Sequence, residues 1–379
     1  MSITILKKDL YDLMQKAIPI IPSKSSLQIL SNFRLSYSDT QFEVSATDLD
    51  HSMKVNCSAT GDGSFDITVN ARKAFDIVRE LPDGNVTLDI DETVLLIQSE
   101  KGFSCKIAGA DARDFPGFPE VEAKSEFEIS ISILKDMILK SSFAVSKEES
   151  RACLCGIFWE INENKTGMVA TDGHRLGSSF INSAFPVISP INGILSPKSV
   201  LNLIKNVDAK TPDEKIKVSI GDKYVVFYNS SLIMCSKLID GPYPDYTKVI
   251  PKNNPKKAII DRVSMQSAVR RVSVLSNTKS HLVKFTFSKG ALEIVVLNRE
   301  IGGEAREQIS IDYNDDEHSI GFNGQYFAEI LDIIKTPKIR LEMNTQISAC
   351  LLFPEYEPGT EIISEDQFLI MPLRIVEEL

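Results

Sequence analysis

A chain of 379 residues, 43% hydrophobic and 25% charged, has the balance of a soluble globular protein and exceeds one ordinary compact domain, so two or three domains are expected. Its net charge of −10 argues against a nucleic-acid partner if that charge is evenly spread, because phosphate contacts need lysine and arginine. Six cysteines (57, 105, 153, 155, 235 and 350) form no CxxC pair and have no histidine at zinc-ligand spacing, which implies neither a metal nor a disulfide framework.

The N-terminal MSITILKKDLYDLMQKAIPIIP carries charges every few positions and lacks a long apolar core, so it reads as neither a signal peptide nor a membrane anchor, and a cytoplasmic location is expected. Within it, ITILKKDLYDLMQKA (3–17) passes from alternating apolar residues to apolar residues three or four apart, the change from period 2 to period 3.6 of a strand entering a helix. VNARKAFDIVREL (69–81) predicts a helix with Asn70 at its N-cap, and VTLDIDETVLLIQS (86–99) predicts a hairpin turning at Asp91-Glu92. RDFPGFPEVEAKSE (113–126) is rich in residues that interrupt regular structure and reads as a boundary. The succession then returns. EISISILKDMILKSS (128–142) repeats the strand-to-helix switch, LSPKSVLNLIKNV (195–207) the capped helix with Ser196 at the cap and Pro197 at the first helical position, and IKVSIGDKYVVFYN (216–229) the hairpin, around Gly221-Asp222. After a second break, PKNNPKK (251–257), come AIIDRVSMQSAVRRVSVLS (258–276), VKFTFSKGALEIVVLN (283–298) with Lys289-Gly290 in its turn, and GFNGQYFAEILDII (321–334) with Asn323 at the cap.

Leu10, Leu134 and Met265 align across this series, as do Leu13, Met137 and Ala268, and Phe75, Leu201 and Phe327 are about equally spaced. The repeat is roughly 125 residues, the size of one domain. The implied fold class is α+β: three repeated domains, 1–124, 125–252 and 253–379, each with antiparallel sheet on one side and two helices on the other. Counted by element, the helical windows 7–17, 71–81, 132–147, 197–206, 262–274 and 323–335 together carry +8, which leaves −18 for strands and loops. Such a chain can present a positive face to an acidic polymer, although basic helix residues read equally well as ordinary solvated surface.

Between the strand-like MVA and LGSSFI lies TDGHR, residues 171–175, and Asp172-Gly173 is the chemistry of a tight turn. A hydrolase using Asp172 and His174 needs a nucleophile or a metal partner. The histidines at 51, 174, 281 and 318 stand in no HxH, HExxH or nucleophile-elbow context, and no GxxxxGK[ST] loop occurs. That reading and a β-rich ligand-binding scaffold both stay open on these residues alone.

TDLD (47–50), ARKAFDIVRELP (71–82), DFP (114–116), VATDGHRL (169–176), SKLIDGPYPDY (236–246), IPKN (250–253), LSNTK (275–279), IGFN (320–323) and MPLR (371–374), in this order and spacing, resemble the bacterial sliding clamps, the beta subunits of DNA polymerase III, over essentially the whole chain. The resemblance implies a homodimeric ring, three similar domains per subunit, with helices lining a hole for duplex DNA and a continuous sheet outside. Closure around DNA is topological, so binding need be neither tight nor sequence-specific. It further implies a non-catalytic processivity factor, without cofactor or metal and away from membranes, that tethers the replicative polymerase. Thr171, Gly173, His174, Arg175 and Leu176 would form a surface groove with Leu154, Pro244, Lys248, Val249 and the C-terminal Leu369, Ile370, Met371, Pro372, Leu373 and Arg374. Short linear segments of the DNA polymerase III alpha subunit, the clamp-loader delta subunit and other polymerases and repair proteins would dock there. Leu176, Val249, Met371 and Leu373 supply apolar surface, methionine adapting to several partners, while His174, Arg175 and Arg374 suit the peptide's polar groups and carbonyls.

For DNA, the positions implied are Lys24 and Arg151, with Arg72, Arg79, Lys198, Lys205, Arg270 and Arg271 as further basic helix residues. Ala152 and Cys153 stand where the best-characterised members carry two aromatic residues, which weakens the case for base stacking there and leaves Arg151 as a phosphate contact. The dimer would join the first domain of one subunit to the third of the other, Phe103 and Cys105 meeting Val274 and Leu275, and Lys73 facing Glu300. Cys105 is smaller than the usual aliphatic residue, so a weaker interface is expected. The tail VEEL (376–379) runs past the usual end, beside the groove.

Overall fold

The computed structural model describes residues 1–185, 187, 189–207, 211 and 213–375, so the VEEL tail lies outside the described residues. The chain forms two compact units, Met1–Leu134 with Lys198–Leu238, and Lys135–Pro197 with Ile239–Leu379. One succession occurs three times along it: a strand, a helix, four strands, a second helix and three strands, with an extra two-residue strand, Thr60–Gly61, in the first. The helices are α1 (Lys7–Ala17), α2 (Ala71–Glu80), α3 (Ile131–Ser142), α4 (Pro197–Asn206), α5 (Arg262–Ser273) and α6 (Gly324–Ile333).

Each predicted switch of period is present: Ser2–Leu6 runs into α1, Ser125–Ser130 into α3 and Lys256–Asp261 into α5. Leu10, Leu13, Leu134, Met137, Met265 and Ala268 are all buried, as residues three or four apart on one helical face should be. The set Phe75, Leu201 and Phe327 behaves differently. Phe327 is buried, Phe75 is half-buried against Tyr11, and Leu201 is 54% exposed. Phe327 follows its cap residue by one position fewer than the other two, and one residue turns a side chain by about 100° around the helix axis. The cap residues do act as predicted where their bonds are seen: Asn70 Oδ1 accepts the Lys73 N–H at 3.0 Å, and Asn323 Oδ1 accepts those of Gln325 and Tyr326 at 3.0 and 3.2 Å. Helix α3 ends at Ser142, short of the window 132–147.

In the first unit thirteen strands form one sheet, in the order Ser125–Ser130, Lys215–Ile220, Tyr224–Tyr228, Leu232–Lys237, His51–Ser58, Gln41–Thr47, Asn32–Ser38, Phe65–Asn70, Ser104–Asp111, Val94–Ser99, Asn85–Asp91, Ser2–Leu6 and Thr60–Gly61. In the second, eight strands run Ile191–Leu195, Ile157–Ile161, Lys165–Thr171, Arg175–Asn182, Glu365–Ile370, Cys350–Glu355, Lys338–Met343 and Lys256–Asp261, beside a four-stranded sheet of Gly303–Ser310, Ala291–Asn298, Leu282–Ser288 and His318–Asn323. All these pairings are antiparallel, and one rule recurs. The third strand of a repeat's four-strand set pairs with the last strand of the next repeat, His51–Ser58 with Leu232–Lys237 and Arg175–Asn182 with Glu365–Ile370. Among the described residues, Gly303–Ser310 is thereby left paired on one side only, as are residues 104–108.

Two of the predicted hairpins close on two residues. Lys289-Gly290 does so with Gly290 at φ +73°, whereas the first turns on Glu92-Thr93, one residue later than predicted. Helices α5 and α6 bury Val269, Val272, Phe327 and Leu331 against alternate strand residues Val283, Phe285 and Phe287. Ring centroids of Phe285, Phe322 and Phe327 lie 5.0 to 5.3 Å apart, and burying each such ring contributes about 2 kcal/mol.

Candidate functional site

Strands Lys165–Thr171 and Arg175–Asn182, in the second unit, are joined by a turn that its own side chains hold. Thr171 Oγ1 donates to the Arg175 carbonyl at 2.7 Å and accepts the Gly173 N–H at 3.1 Å. Asp172 Oδ1 accepts the N–H groups of His174 and Arg175 at 2.8 and 3.0 Å. Gly173 sits at φ +90°, where a side chain would be strained. Asp172 is therefore committed to the turn, and the exposed His174 ring has no hydrogen-bond partner among the described residues, so nothing here activates a nucleophile.

Arg175 requires a correction. Expected at the groove surface, it is 6% exposed, donates to Asp172 Oδ2 at 3.1 Å and to the Glu329 carboxylate, and lies 4.1 and 5.4 Å from the ring centroids of Tyr326 and Phe143. Successive strand residues point to opposite faces, so the side chains of Arg175 and Leu176 lie on opposite sides of the sheet.

Leu176 belongs to the outer set: with Val169, Leu351 and Leu369 it makes a buried apolar cluster against which Tyr246 and Ile250 pack. Leu369 pairs across the ladder with both Leu176 and Leu351. Leu154 is also buried, and Ile370 is buried in the core of the third repeat rather than at a surface. The loop 242–250 is held over this cluster by two tyrosines. The Tyr243 hydroxyl accepts the Thr171 N–H at 3.0 Å while its ring stacks on Phe158 at 4.8 Å. The Tyr246 hydroxyl donates to Glu160 at 2.6 Å, and burial, reinforced by that carboxylate, pushes its pKa up and keeps it a donor. So anchored, the loop presents Pro244, Lys248 and Val249 to solvent, with Val249 54% exposed and Lys248 paired to Asp245 at 3.2 Å.

The last strand completes the site. The Met371 N–H donates to the His174 carbonyl at 2.8 Å, setting its partly exposed side chain beside the turn, and the Leu373 N–H donates to Gly321. Pro372 and Leu373 are half-buried and Arg374 is exposed. A buried apolar floor with exposed aliphatic side chains and a histidine above it can hold a short apolar segment. The sequence reading missed Tyr243, Phe143, Tyr326 and Glu329. Tyr243 lay inside a quoted motif, but Glu329 stands 154 residues from Arg175, beyond any local pattern.

Among the basic candidates, Lys198 is also corrected: its ammonium donates to Ile20 O at 3.0 Å and pairs with Asp48 at 2.5 Å, so it is not a free phosphate contact. Arg79 pairs with Asp76 and Glu80, Arg151 with Glu148, Arg270 with Asp332 and Arg271 with Glu307. Lys24, Arg72 and Lys205 are exposed and have no ion pair among the described residues. Of the dimer candidates, Phe103 and Val274 are 43% and 81% exposed, Lys73 and Glu300 are exposed, and Cys105 is half-buried. Leu275 instead packs against the core of the third repeat.

Comparison with known proteins places three domain models in series on the chain: the N-terminal, central and C-terminal domains of the DNA polymerase III beta subunit, at residues 1–119, 128–245 and 247–367. The chain is similar to the beta sliding clamp of Pseudomonas putida, 29% identical over 378 residues that cover 99% of this chain and all of that one. The beta sliding clamp of Caulobacter vibrioides is 30% identical over 383 residues, with 99% and 100% covered. In three dimensions it is similar to the sliding clamp of Pseudomonas aeruginosa bound to griselimycin, with a TM-score of 0.92, 28% identity, and 99% and 100% of the two chains covered.

Proposed function

The chain belongs to the DNA polymerase III beta subunit family, the beta sliding clamps, and on that premise we propose that it encircles duplex DNA as a ring of two subunits and tethers the replicative polymerase for processive synthesis. The observation that carries the ring is the pairing rule between repeats. Among the described residues, no strand covers the free edge of residues 104–108 or that of Gly303–Ser310. A second copy supplies both, head to tail, and two such contacts close the assembly. The exposed Phe103 and Val274 flank these edges, with Lys73 and Glu300 as polar partners. The domains are 1–124, 125–252 and 253–379.

DNA contact falls to cations that no carboxylate occupies among the described residues, Lys24, Arg72 and Lys205, with Arg151 joining them by exchanging its exposed Glu148 partner for a phosphate. Such contacts are screened and sequence-independent, which suits sliding. The net charge of −10 is no objection, since the acidic remainder keeps other surfaces off DNA. The groove of Val249 and Met371 above Leu176 and Leu369 takes linear segments of the polymerase alpha subunit, the clamp-loader delta subunit and repair proteins. Thr171 and Asp172 hold the turn rather than react, so the protein works by holding, without turnover, cofactor or metal. No helix among the described residues is long and apolar enough to cross a membrane, and a cytoplasmic location goes with a DNA partner.

The test is retention on a nicked circular plasmid, loaded with a cognate clamp loader and ATP, before and after a restriction cut. Protein that stays on the circle and leaves linear DNA is topologically bound. Equal loss from both forms, with a known clamp loading normally, would remove the ring.

A further inference from the structure

Where Arg175–Asn182 of the second repeat pairs with Glu365–Ile370 of the third, the face of the sheet turned away from the groove carries a buried charge. Ser179 and Asp366 stand directly opposite each other in this ladder, and Asp366 is 7% exposed. Its Oδ1 accepts the Ser179 hydroxyl at 2.7 Å, and its Oδ2 lies 2.7 Å from the Lys140 ammonium of α3. That ammonium also pairs with Asp136 and donates to Ser364 Oγ at 3.0 Å. Helix α3 comes so close because Gly177 has no side chain: a Cβ there would meet the Lys140 carbonyl at 2.4 Å. The contact runs from a third-repeat strand to a second-repeat helix, the reverse of Arg175, which reaches from a second-repeat strand to Glu329 on α6.

The first unit shows that the fold does not require this charge. Equally far from the matching turn 47–51, Val55 stands opposite Leu232, and both are buried. The lysine is present there too: Lys16 of α1 matches Lys140 as Leu10 and Leu13 match Leu134 and Met137, but no carboxylate is paired with it among the described residues. A buried carboxylate is costly even when paired, and an apolar pair is the less costly arrangement. What the charge adds is register. Two apolar strands tolerate a slip of two residues, which keeps every side chain on its own face, whereas Asp366 meets both Ser179 and Lys140 in one alignment only. The other face of the same strand serves the groove, with Leu369 opposite Leu176 in the floor and Met371 just beyond it at the rim. Such a slip would set Gln367 or Met371 in the place of Leu369.

We propose that Asp366, held by Lys140 and Ser179, is a positioning residue for the groove: it fixes the alignment of Glu365–Ile370 on Arg175–Asn182 and thereby the places of Leu369 and Met371. The inference rests on the groove reading above and assigns the residue that sets the groove's geometry from the opposite face of the sheet.

The experiment uses the full chain, a fluorescein-labelled clamp-binding peptide of the polymerase alpha subunit, urea unfolding, and amide exchange over residues 365–371 followed by mass spectrometry. Ser179→Val with Asp366→Leu rebuilds the pair found in the first unit. This variant should unfold in urea no earlier than the wild type, yet exchange about tenfold faster over 365–371 and bind the peptide about tenfold more weakly. Wild-type exchange and affinity in it overturn the proposal. So does weaker binding with unchanged exchange, because the strand's alignment would then not be the cause. Should the apolar variant fail to fold, Ser179→Ala removes a single hydroxyl and carries the same expectation at about threefold, and wild-type behaviour there overturns the proposal. Failure of the groove reading has a different signature: Met371→Ala with Leu373→Ala would leave the peptide bound as before, while faster exchange in the apolar variant would still mark Asp366 as the residue that aligns the strand.

Discussion

Two turns of the chain, 47–51 and 171–175, are built by the same bonds. Thr47 Oγ1 donates to the His51 carbonyl at 3.0 Å and accepts the Leu49 N–H at 3.1 Å, and Asp48 Oδ1 accepts from Asp50 and His51, as Thr171 and Asp172 do in the second repeat. Leu49 at φ +80° stands where Gly173 does. In each, the aspartate reaches a cation: Asp48 meets Lys198, and Asp172 meets Arg175. Burial alone would raise the Asp48 pKa, but hydrogen bonds from His51 and Lys198 outweigh it and hold the carboxyl well below the usual carboxylate range. A depressed carboxylate stabilises the fold above its unfolded pKa, about 3.9, and that stability is lost as pH falls below it. Asp48→Asn should therefore flatten the fall in urea-measured stability from pH 5 to pH 3; an acid limb as steep as the wild type's would mean that other groups set it. For Arg175, truncation leaves the Asp172 carboxylate nearly buried without its partner, so Arg175→Ala should cost about 3 kcal/mol in urea unfolding. Arg175→Lys should recover only part of this, since an ammonium cannot stack on Tyr326 while reaching both carboxylates.

Helices and strands differ in how much of them the sequence discloses, and the reason is range. The period change at 3–17, 128–142 and 258–276 and the caps Asn70 and Asn323 are local, so they can be read from a dozen residues. Asn323 holds two N–H groups of α6, and Asn323→Ala should lower stability by about 1 kcal/mol, read as an earlier urea midpoint at unchanged slope. A changed slope would instead signal an altered unfolded state or loss of two-state behaviour. The pairing of His51–Ser58 with Leu232–Lys237 has no such local trace, because any half-buried strand offers the same alternation and register is decided by the partner. The groove divides along the same line. Its turn is legible in TDGHR and its apolar rim in MPLR, but the inward direction of Arg175 depends on strand facing and on Glu329, and the occupancy of Lys198 depends on Asp48, 150 residues away.

At the scale of the whole molecule, the proposed ring would have a second copy cover the edges 104–108 and Gly303–Ser310, which separates folding from assembly. Val274 is 81% exposed in the single chain, so a charge there meets water and leaves the monomer's stability nearly unchanged. In a closed dimer the same carboxylate would be buried without a partner. Leu275 is a poor choice for this purpose because it packs against the third repeat's core, and a charge there would disturb the subunit itself. Val274→Asp is thus expected to sediment as a monomer at concentrations where the wild type is a dimer, to unfold in urea at the wild-type midpoint, and to bind a polymerase-derived peptide with unchanged affinity, since the groove lies wholly within one subunit's second unit. Retention on circular plasmid should be lost with the dimer. A Val274→Asp dimer of wild-type strength would move the interface elsewhere, and a monomer that still stays on circles and leaves linear DNA would show that the ring does not need this contact.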